Sequence, residues 1–380
     1  MPLTIGVPTE TAPGERRVAL LPEICAKMAA QDVQVLVESG AGEAAYFPDD
    51  AFQAAGAHVV SRVEVLRADV LATVNGPGDD DLPHLRPESV IVGLMRPLDD
   101  AARMERIAAT GATALAMDLV PRTTRAQSMD ALSAMATVAG YRAVLLAAEA
   151  LPRFFPLLTT AAGTMRPAKV LVLGAGVAGL QAIATARRLG AVVSAYDVRA
   201  AAAEEARSLG ATFITLDLDT AGAEGGGGYA AALDEERQRR QLELLGAHVA
   251  AQDVVICTAL VPGRRAPLLV SEEAVGGMAP GSVIVDLAAP NGGNCALTQP
   301  GVAAHAGGVR IFGPLNVPAD MPVHASQMYA RTMAALVGYF ARDGAFAPAE
   351  DDEIFRGMCV TAGGQVVNER VRALLAAPPA

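Results

Sequence analysis

No uninterrupted apolar run in this 380-residue chain approaches the roughly 18–20 residues that a bilayer-spanning helix needs. The two longest candidates, AGYRAVLLAAEALPRFF and MYARTMAALVGYFARD, are both broken by charges. The opening MPLTIGVPTET lacks a basic stretch followed by an apolar one, so no secretory signal is expected. The reading is a soluble chain without direct membrane insertion, held at a membrane only through another chain if it works there. Charged residues make up only 19% of the sequence, and 52% is apolar, which argues against long disordered stretches. Basic residues are also scarce: 30 against 41 acidic ones, a net charge of −11. That balance argues against nucleic acid as a partner. The four cysteines (Cys25, Cys257, Cys295, Cys359) form no CxxC pair and no metal-ligand spacing. They read as reduced core thiols of a cytoplasmic protein. The five histidines (His58, His84, His248, His305, His324) include no HxxxH, and no metal is expected.

What is present is a repeated alternation. Length alone suggests two domains of ordinary size. Residues 3–7, 33–38, 70–74 and 90–94 read as strands, with helices over 22–30 and 101–110 between them. A second alternation starts at Lys169: strand 170–173, helix 180–189 ended by Gly190, strand 191–196, helix 201–209, and strands 212–215, 253–257 and 283–285. The expected fold class is α/β: two Rossmann-like domains with mainly parallel sheets, joined by long helices around a cleft. A long helix within 122–151 joins the halves, and one near 325–342 passes back. The expected domains are residues 1–130 plus 325–380, and residues 131–324.

The strongest motif is VLVLGAGVAGLQA, in which Gly174, Gly176 and Gly179 have the G-x-G-x-x-G spacing. Alone the spacing is weak, but here a buried strand precedes it and a helix follows. The first glycine permits the tight turn, the second lets a pyrophosphate approach the backbone, and the third allows close helix–strand packing. Asp197 ends the next strand, at the distance expected for the acid that binds a ribose. Its carboxylate would accept from both adenosine hydroxyls and repel a 2′-phosphate, which favours NAD over NADP. Arg199, two residues on, would attract such a phosphate, so the preference stays open. The stretch 221–232 (AGAEGGGGYAAA) reads as a mobile surface loop, and Tyr229 also allows a lid over the site.

Three further segments exceed a generic dinucleotide domain: PRTTRAQSMDALSAMATVAGYRAV (121–144), TALVPGRRAPLLV (258–270) and VIVDLAAPNGGNC (283–295). They resemble the NAD-binding domain of the proton-translocating nicotinamide nucleotide transhydrogenases. The opening GVPTETAPGERRVALLPE (6–23) is similar to both that family and its relative, alanine dehydrogenase. The resemblance covers nearly the whole chain, and RAQSMD is its most specific segment.

The resemblance implies a loop around the nicotinamide, matched here by Arg122, Gln127 and Asp130, with Ser133 following. Direct hydride transfer between two nicotinamides needs the rings held at near-attack distance and needs no proton carrier. Gln127 would bond both nicotinamides, while Arg122 and Asp130 would fix the carboxamide and balance the ring's changing charge. Residue types alone read equally well as a capping and salt-bridge cluster on a long helix. The resemblance further implies nucleotide contacts from Val177, Ala178, Val198, Gly228, Tyr229, Gln241 and Leu260. Leu233 departs from the family, whose members often carry Met there. It also implies NAD(H) on this chain, NADP(H) on a partner subunit, transmembrane partner subunits, a homodimer, and a cytoplasmic place peripheral to the inner membrane.

Alanine dehydrogenase is the nearest rival. It must move a proton as well as a hydride, and so needs an acid and a base. Where that family carries a Lys, a His and an Asp, this chain has Asn75 or its neighbours in place of the Lys, Met95 in the His region and Pro290 at the Asp position. Arg17, matching a keto-acid ligand, is retained. A nucleotide-responsive subunit without turnover is the other alternative.

Overall fold

The computed structural model describes residues 2–217, 235–261, 263–342 and 344–376. It divides into two compact units, Met1–Met135 with Pro318–Ala380, and Ala136–Val317.

The first unit is built on an eight-stranded sheet. Its strand order is Gln365–Val366, Cys359–Ala362, Thr113–Ala116, Val90–Gly93, Val70–Ala72, Thr4–Val7, Gln34–Glu38, His58–Val60. The six strands from the N-terminal segment pair in parallel, and the two from the C-terminal segment add antiparallel at one edge. Parallel strands need a crossover, and the helices Pro22–Ala29 and Ala101–Ala109 lie between the strands they connect. The packing is close enough to demand a missing side chain: a Cβ on Gly6 would sit 2.3 Å from the Val65 carbonyl oxygen. Strands His58–Val60 and Gln365–Val366 escape the sequence reading because they are short and partly exposed, and the buried Cys359–Ala362 escapes it too.

The second unit has a seven-stranded sheet in the order Thr212–Phe213, Val192–Tyr196, Lys169–Leu173, Val254–Cys257, Val283–Asp286, Val309–Phe312, Ala303–Ala306. All neighbours are parallel except the last two. The central strands VLVL, VVIC and VIVD are buried throughout, because helices and loops cover both faces. Order reverses around Lys169–Leu173: the chain runs from it to one side through Val192–Tyr196, then resumes on the other at Val254–Cys257. Such a switch point opens a crevice at the carboxyl ends of the strands.

The helix expected within 122–151 runs over Ala131–Ala150. Asp130 caps its start: its carboxylate accepts from the Ser133 N–H at 2.8 Å and the Ser133 hydroxyl at 2.6 Å. By length and composition this helix could cross a membrane. Here Ala143, Val144, Ala147 and Ala150 pack into the core of the second unit with Val170, Ile183 and Val254. The expected returning helix is Pro322–Phe340, with proline in its first turn, and it belongs to the first unit.

Candidate functional site

The glycine-rich turn lies at the switch point of the second unit. Strand Lys169–Leu173 delivers Gly174, whose φ of +96° is open to glycine and costly for any other residue. Gly176 then caps helix Val177–Arg188, and a Cβ on it would meet nothing within 4 Å. Gly179 has the opposite surroundings, since a Cβ there would stand 1.8 Å from the Gly174 carbonyl oxygen. The three glycines thus occupy three different settings: a tight turn, an open approach and close packing. The free N–H groups at the start of a 12-residue helix face that open approach and suit a pyrophosphate. Val177 is exposed at this end and Ala178 half-buried. A Cβ on Gly140 would lie 2.1 Å from the Ala178 carbonyl, so the long helix also packs tightly on this turn.

Asp197 follows strand Val192–Tyr196 and reaches back to the turn, where its Oδ2 accepts from the Ala175 N–H at 2.8 Å. Arg199 encloses the same carboxylate from its backbone and its side chain. The structure thus brings Gly174, Gly176, Gly179 and Asp197 together, with Arg199 on the acid. Val198 is half-buried beside the core. Gln241 is buried, and its amide donates to the Tyr196 hydroxyl at 2.8 Å. That bond holds helix Glu235–Ala250 against the strand ending at Asp197. Leu260 is partly exposed on the loop after strand Val254–Cys257. Gly228, Tyr229 and Leu233, with the 221–232 stretch, lie outside the described residues.

Two supporting residues escaped the sequence reading. Thr258 donates its hydroxyl to the Gly174 carbonyl at 2.8 Å. Asn294, fully buried, accepts from the Ala259 N–H and donates to the carbonyls of Ala259 and Pro267, which pins the loop carrying Leu260. Its backbone is held in turn by Asp286, which also accepts from Ala288, Cys295 and Thr298. The only signal in the sequence was their place in the segments 258–270 and 283–295.

In the first unit, Arg122 and Gln127 are exposed, and Asp130 and Ser133 make the cap described above. Gln127 opens the short 3-10 turn Gln127–Met129, anchored by buried Ala126 and Met129. The Thr123 hydroxyl is buried without a partner among the described residues. Asp130 and Ser133 therefore serve as a helix cap, which leaves the exposed Arg122 and Gln127 as the members of the set facing solvent.

A buried polar cluster occupies the carboxyl ends of the first sheet. Glu10 accepts from the N–H groups of Val74 and Asn75 and from the Asn75 amide. Burial pushes its carboxyl up to about 7, against those bonds. Glu15 is also buried, yet the bonds and charge of Arg17, with the Asn75 amide, outweigh burial and hold it at about 2. Met95 is fully buried. Tyr329 closes the cluster by donating to the Thr73 carbonyl at 2.6 Å. Among the described residues, no three His, Cys, Asp or Glu side chains gather to hold a metal ion.

The chain matches two family models: alanine dehydrogenase/PNT, N-terminal domain, over residues 6–139, and alanine dehydrogenase/PNT, C-terminal domain, over residues 143–369. It is 43% identical over 376 residues to an NAD(P) transhydrogenase subunit alpha polypeptide of Rhodospirillum rubrum, covering 96% of this chain and 98% of that protein. With the NAD(P) transhydrogenase subunit alpha of Haemophilus influenzae it shares 40% over 368 residues, 96% of this chain and 72% of the longer relative. Among solved structures it is similar to the transhydrogenase from Sinorhizobium meliloti, with a TM-score of 0.87 and 42% identity, covering 96% of this chain and 100% of that one.

Proposed function

The chain belongs to the alanine dehydrogenase/PNT family, and on that premise we propose that it is the NAD(H)-binding, hydride-transferring subunit of a proton-translocating NAD(P) transhydrogenase. The reaction is NADH + NADP⁺ ⇌ NAD⁺ + NADPH. NADP(H) and the proton path reside on partner subunits, one binding NADP(H) and others crossing the membrane. This subunit works as a homodimer on the cytoplasmic side, peripheral to the inner membrane.

The observation that carries the reading is the chemistry of two positions in the first unit. Where the dehydrogenase reaction needs a proton carrier, Met95 is a fully buried thioether and Asn75 an amide bonded to Glu10 and Glu15. Neither moves a proton near neutral pH, and transfer between two nicotinamides asks for none. The relatives at 40% identity and above carry transhydrogenase names, while those named alanine dehydrogenase stand at 30%.

NAD(H), when bound, supplies or accepts the hydride. The residues of this chain do the holding. Gly176 leaves the pyrophosphate room at the helix start, and Gly174 and Gly179 set the turn. Asp197 accepts from the adenosine ribose, flanked by Val198 and Arg199. Val177, Ala178, Leu260 and Gln241 complete the proposed contacts, together with Gly228 and Tyr229, which lie outside the described residues. Gln127 and Arg122 orient the nicotinamide, and the Asp130–Ser133 cap fixes the turn that presents Gln127. Orientation of this kind is worth several kcal/mol of a hydride-transfer barrier, on the order of 5 or more.

One observation favours a second reading. Burial holds the Glu10 carboxyl at about 7 beside Asn75, whose amide also bonds Glu15, the partner of Arg17, which gives an alanine dehydrogenase-like activity a candidate proton carrier. The test is hydride transfer from NADH to an NADP analogue, with the chain alone and then with an NADP(H)-binding transhydrogenase domain added. L-alanine with NAD runs in parallel. Transfer only after the partner is added is the expected result. NADH formation from alanine with no rescue by the partner overturns it in favour of the second reading.

A further inference from the structure

Among the described residues, the Asp197 carboxylate accepts four hydrogen bonds, two on each oxygen. Two come from backbone: the Ala175 N–H to Oδ2 at 2.8 Å and the Arg199 N–H to Oδ1 at 2.9 Å. The other two come from the Arg199 guanidinium, Nε to Oδ1 at 3.0 Å and Nη2 to Oδ2 at 2.8 Å. A carboxylate offers about four acceptor positions, so this one is saturated. The donors differ in what it takes to remove them. The Ala175 N–H belongs to the glycine turn and the Arg199 N–H to the bend that follows strand Val192–Tyr196, and neither leaves without moving the main chain. The guanidinium leaves by rotation of a side chain, and it is the more exposed partner, 19% against 7% for Asp197.

A ribose diol presents two O–H donors, and the guanidinium fork fills two acceptor positions, one on each oxygen. We propose that Arg199 is a displaceable latch on the ribose-binding carboxylate, a specificity-determining residue that competes with the adenosine diol for Asp197. The inference rests on the reading of Asp197 as the ribose acceptor in the proposed function. The exchange trades a bidentate ion pair for bonds from two neutral hydroxyls, so the latch weakens binding of a diol-bearing nucleotide. It does so less for a nucleotide without the diol, which has no reason to displace it. The two backbone donors keep the carboxylate aimed after the guanidinium is gone. Once displaced, the guanidinium remains tethered two residues from the ribose acceptor, so rejection of a 2′-phosphate is incomplete.

The test is displacement of bound NADH, followed by its fluorescence, with ADP and with 2′,3′-dideoxy-ADP as competitors on the full chain. The quantity of interest is the ratio of the two affinities. Arg199→Gln is expected to raise the preference for ADP about tenfold. Arg199→Lys, which keeps the charge without the fork, falls between. Adding Asp197→Asn to Arg199→Gln erases the gain. A ratio unchanged or lowered by Arg199→Gln, in a protein that still binds NADH, overturns the latch and leaves the dinucleotide site standing. Failure of the unmutated chain to bind NADH overturns both.

Discussion

The Thr258 hydroxyl and the Gly174 carbonyl, 84 residues apart, meet in a 2.8 Å hydrogen bond. Parallel pairing of Val254–Cys257 with Lys169–Leu173 brings them together, each just past the end of its strand. The bond fixes the carbonyl against which Gly179 packs, and so the shape of the phosphate-binding turn. Thr258→Val keeps the volume and removes the donor. Stability is expected to fall by about 1 kcal/mol, and NADH affinity by roughly threefold to tenfold, from loss of order in the turn. Thermal unfolding and fluorescence titration read the two effects, and an unchanged affinity would mean the turn holds itself.

Gly176 and Gly179 are expected to fail in different ways when changed to alanine. At Gly176 the added methyl enters open space, so stability stays within about 0.5 kcal/mol while pyrophosphate approach is blocked. At Gly179 the methyl meets the Gly174 backbone, so the helix must shift, at about 1–3 kcal/mol or more. NADH affinity falls at least about tenfold in both. Equal stability losses in the two variants would contradict this division of roles.

The Arg17–Glu15 pair is almost wholly buried, with side-chain exposures of 4% and 0%. Arg17→Met leaves a buried carboxylate without its cation, an expected loss of about 3–5 kcal/mol. Adding Glu15→Gln should recover much of it, since the uncompensated charge is then gone. Urea unfolding of the two variants provides the measurement. A small loss in the single variant would show that water reaches Glu15 more easily than its burial suggests.

Glu10 and Glu15 give opposite pH dependences. The folded carboxyl of Glu10 is raised from the ordinary 4.5 to about 7, so the unfolded chain loses this proton first as pH rises. Stability therefore declines between about pH 4.5 and 7 and is flat above. Glu15 is held at about 2, so its contribution is present above pH 4.5 and is lost as pH falls toward 2. Glu10→Gln should remove the decline between pH 5 and pH 8, a gain on the order of 2 kcal/mol at pH 8. Denaturant midpoints at those two pH values decide it, and a persisting decline would assign it to another group.

Gln127→Ala changes an exposed side chain on a turn held by its neighbours Ala126 and Met129. Stability should stay within about 0.5 kcal/mol, and NADH affinity within about twofold. Reconstituted hydride transfer should drop at least tenfold, roughly 1.4 kcal/mol in the barrier. Full transfer with NADH still bound would remove Gln127 from the machinery.

Where the sequence was informative, the reason is local. A positive φ at Gly174 and a 1.8 Å approach at Gly179 each exclude every side chain, so residue identity records the geometry directly. Continuous apolar runs such as VLVL and VVIC record burial on both faces in the same way. The cap at Asp130 spans three residues, and the residue types allowed it from the start. The short edge strands carried no such mark.

Other relationships were decided only by the tertiary structure. Asp197 and Arg199 are neighbours in sequence, yet no spacing rule says that the arginine turns back onto the acid and fills its acceptor positions beside Ala175. Glu10 gains its unusual proton affinity from burial, which outweighs the N–H donors of a strand end more than 60 residues away. Thr258 and Asn294 look ordinary until parallel pairing sets them against the turn and the Leu260 loop. Backbone conformation is selected residue by residue and leaves its trace in composition. A hydrogen bond between distant groups, or a carboxyl held away from water, exists only once the sheet has brought its strand ends together.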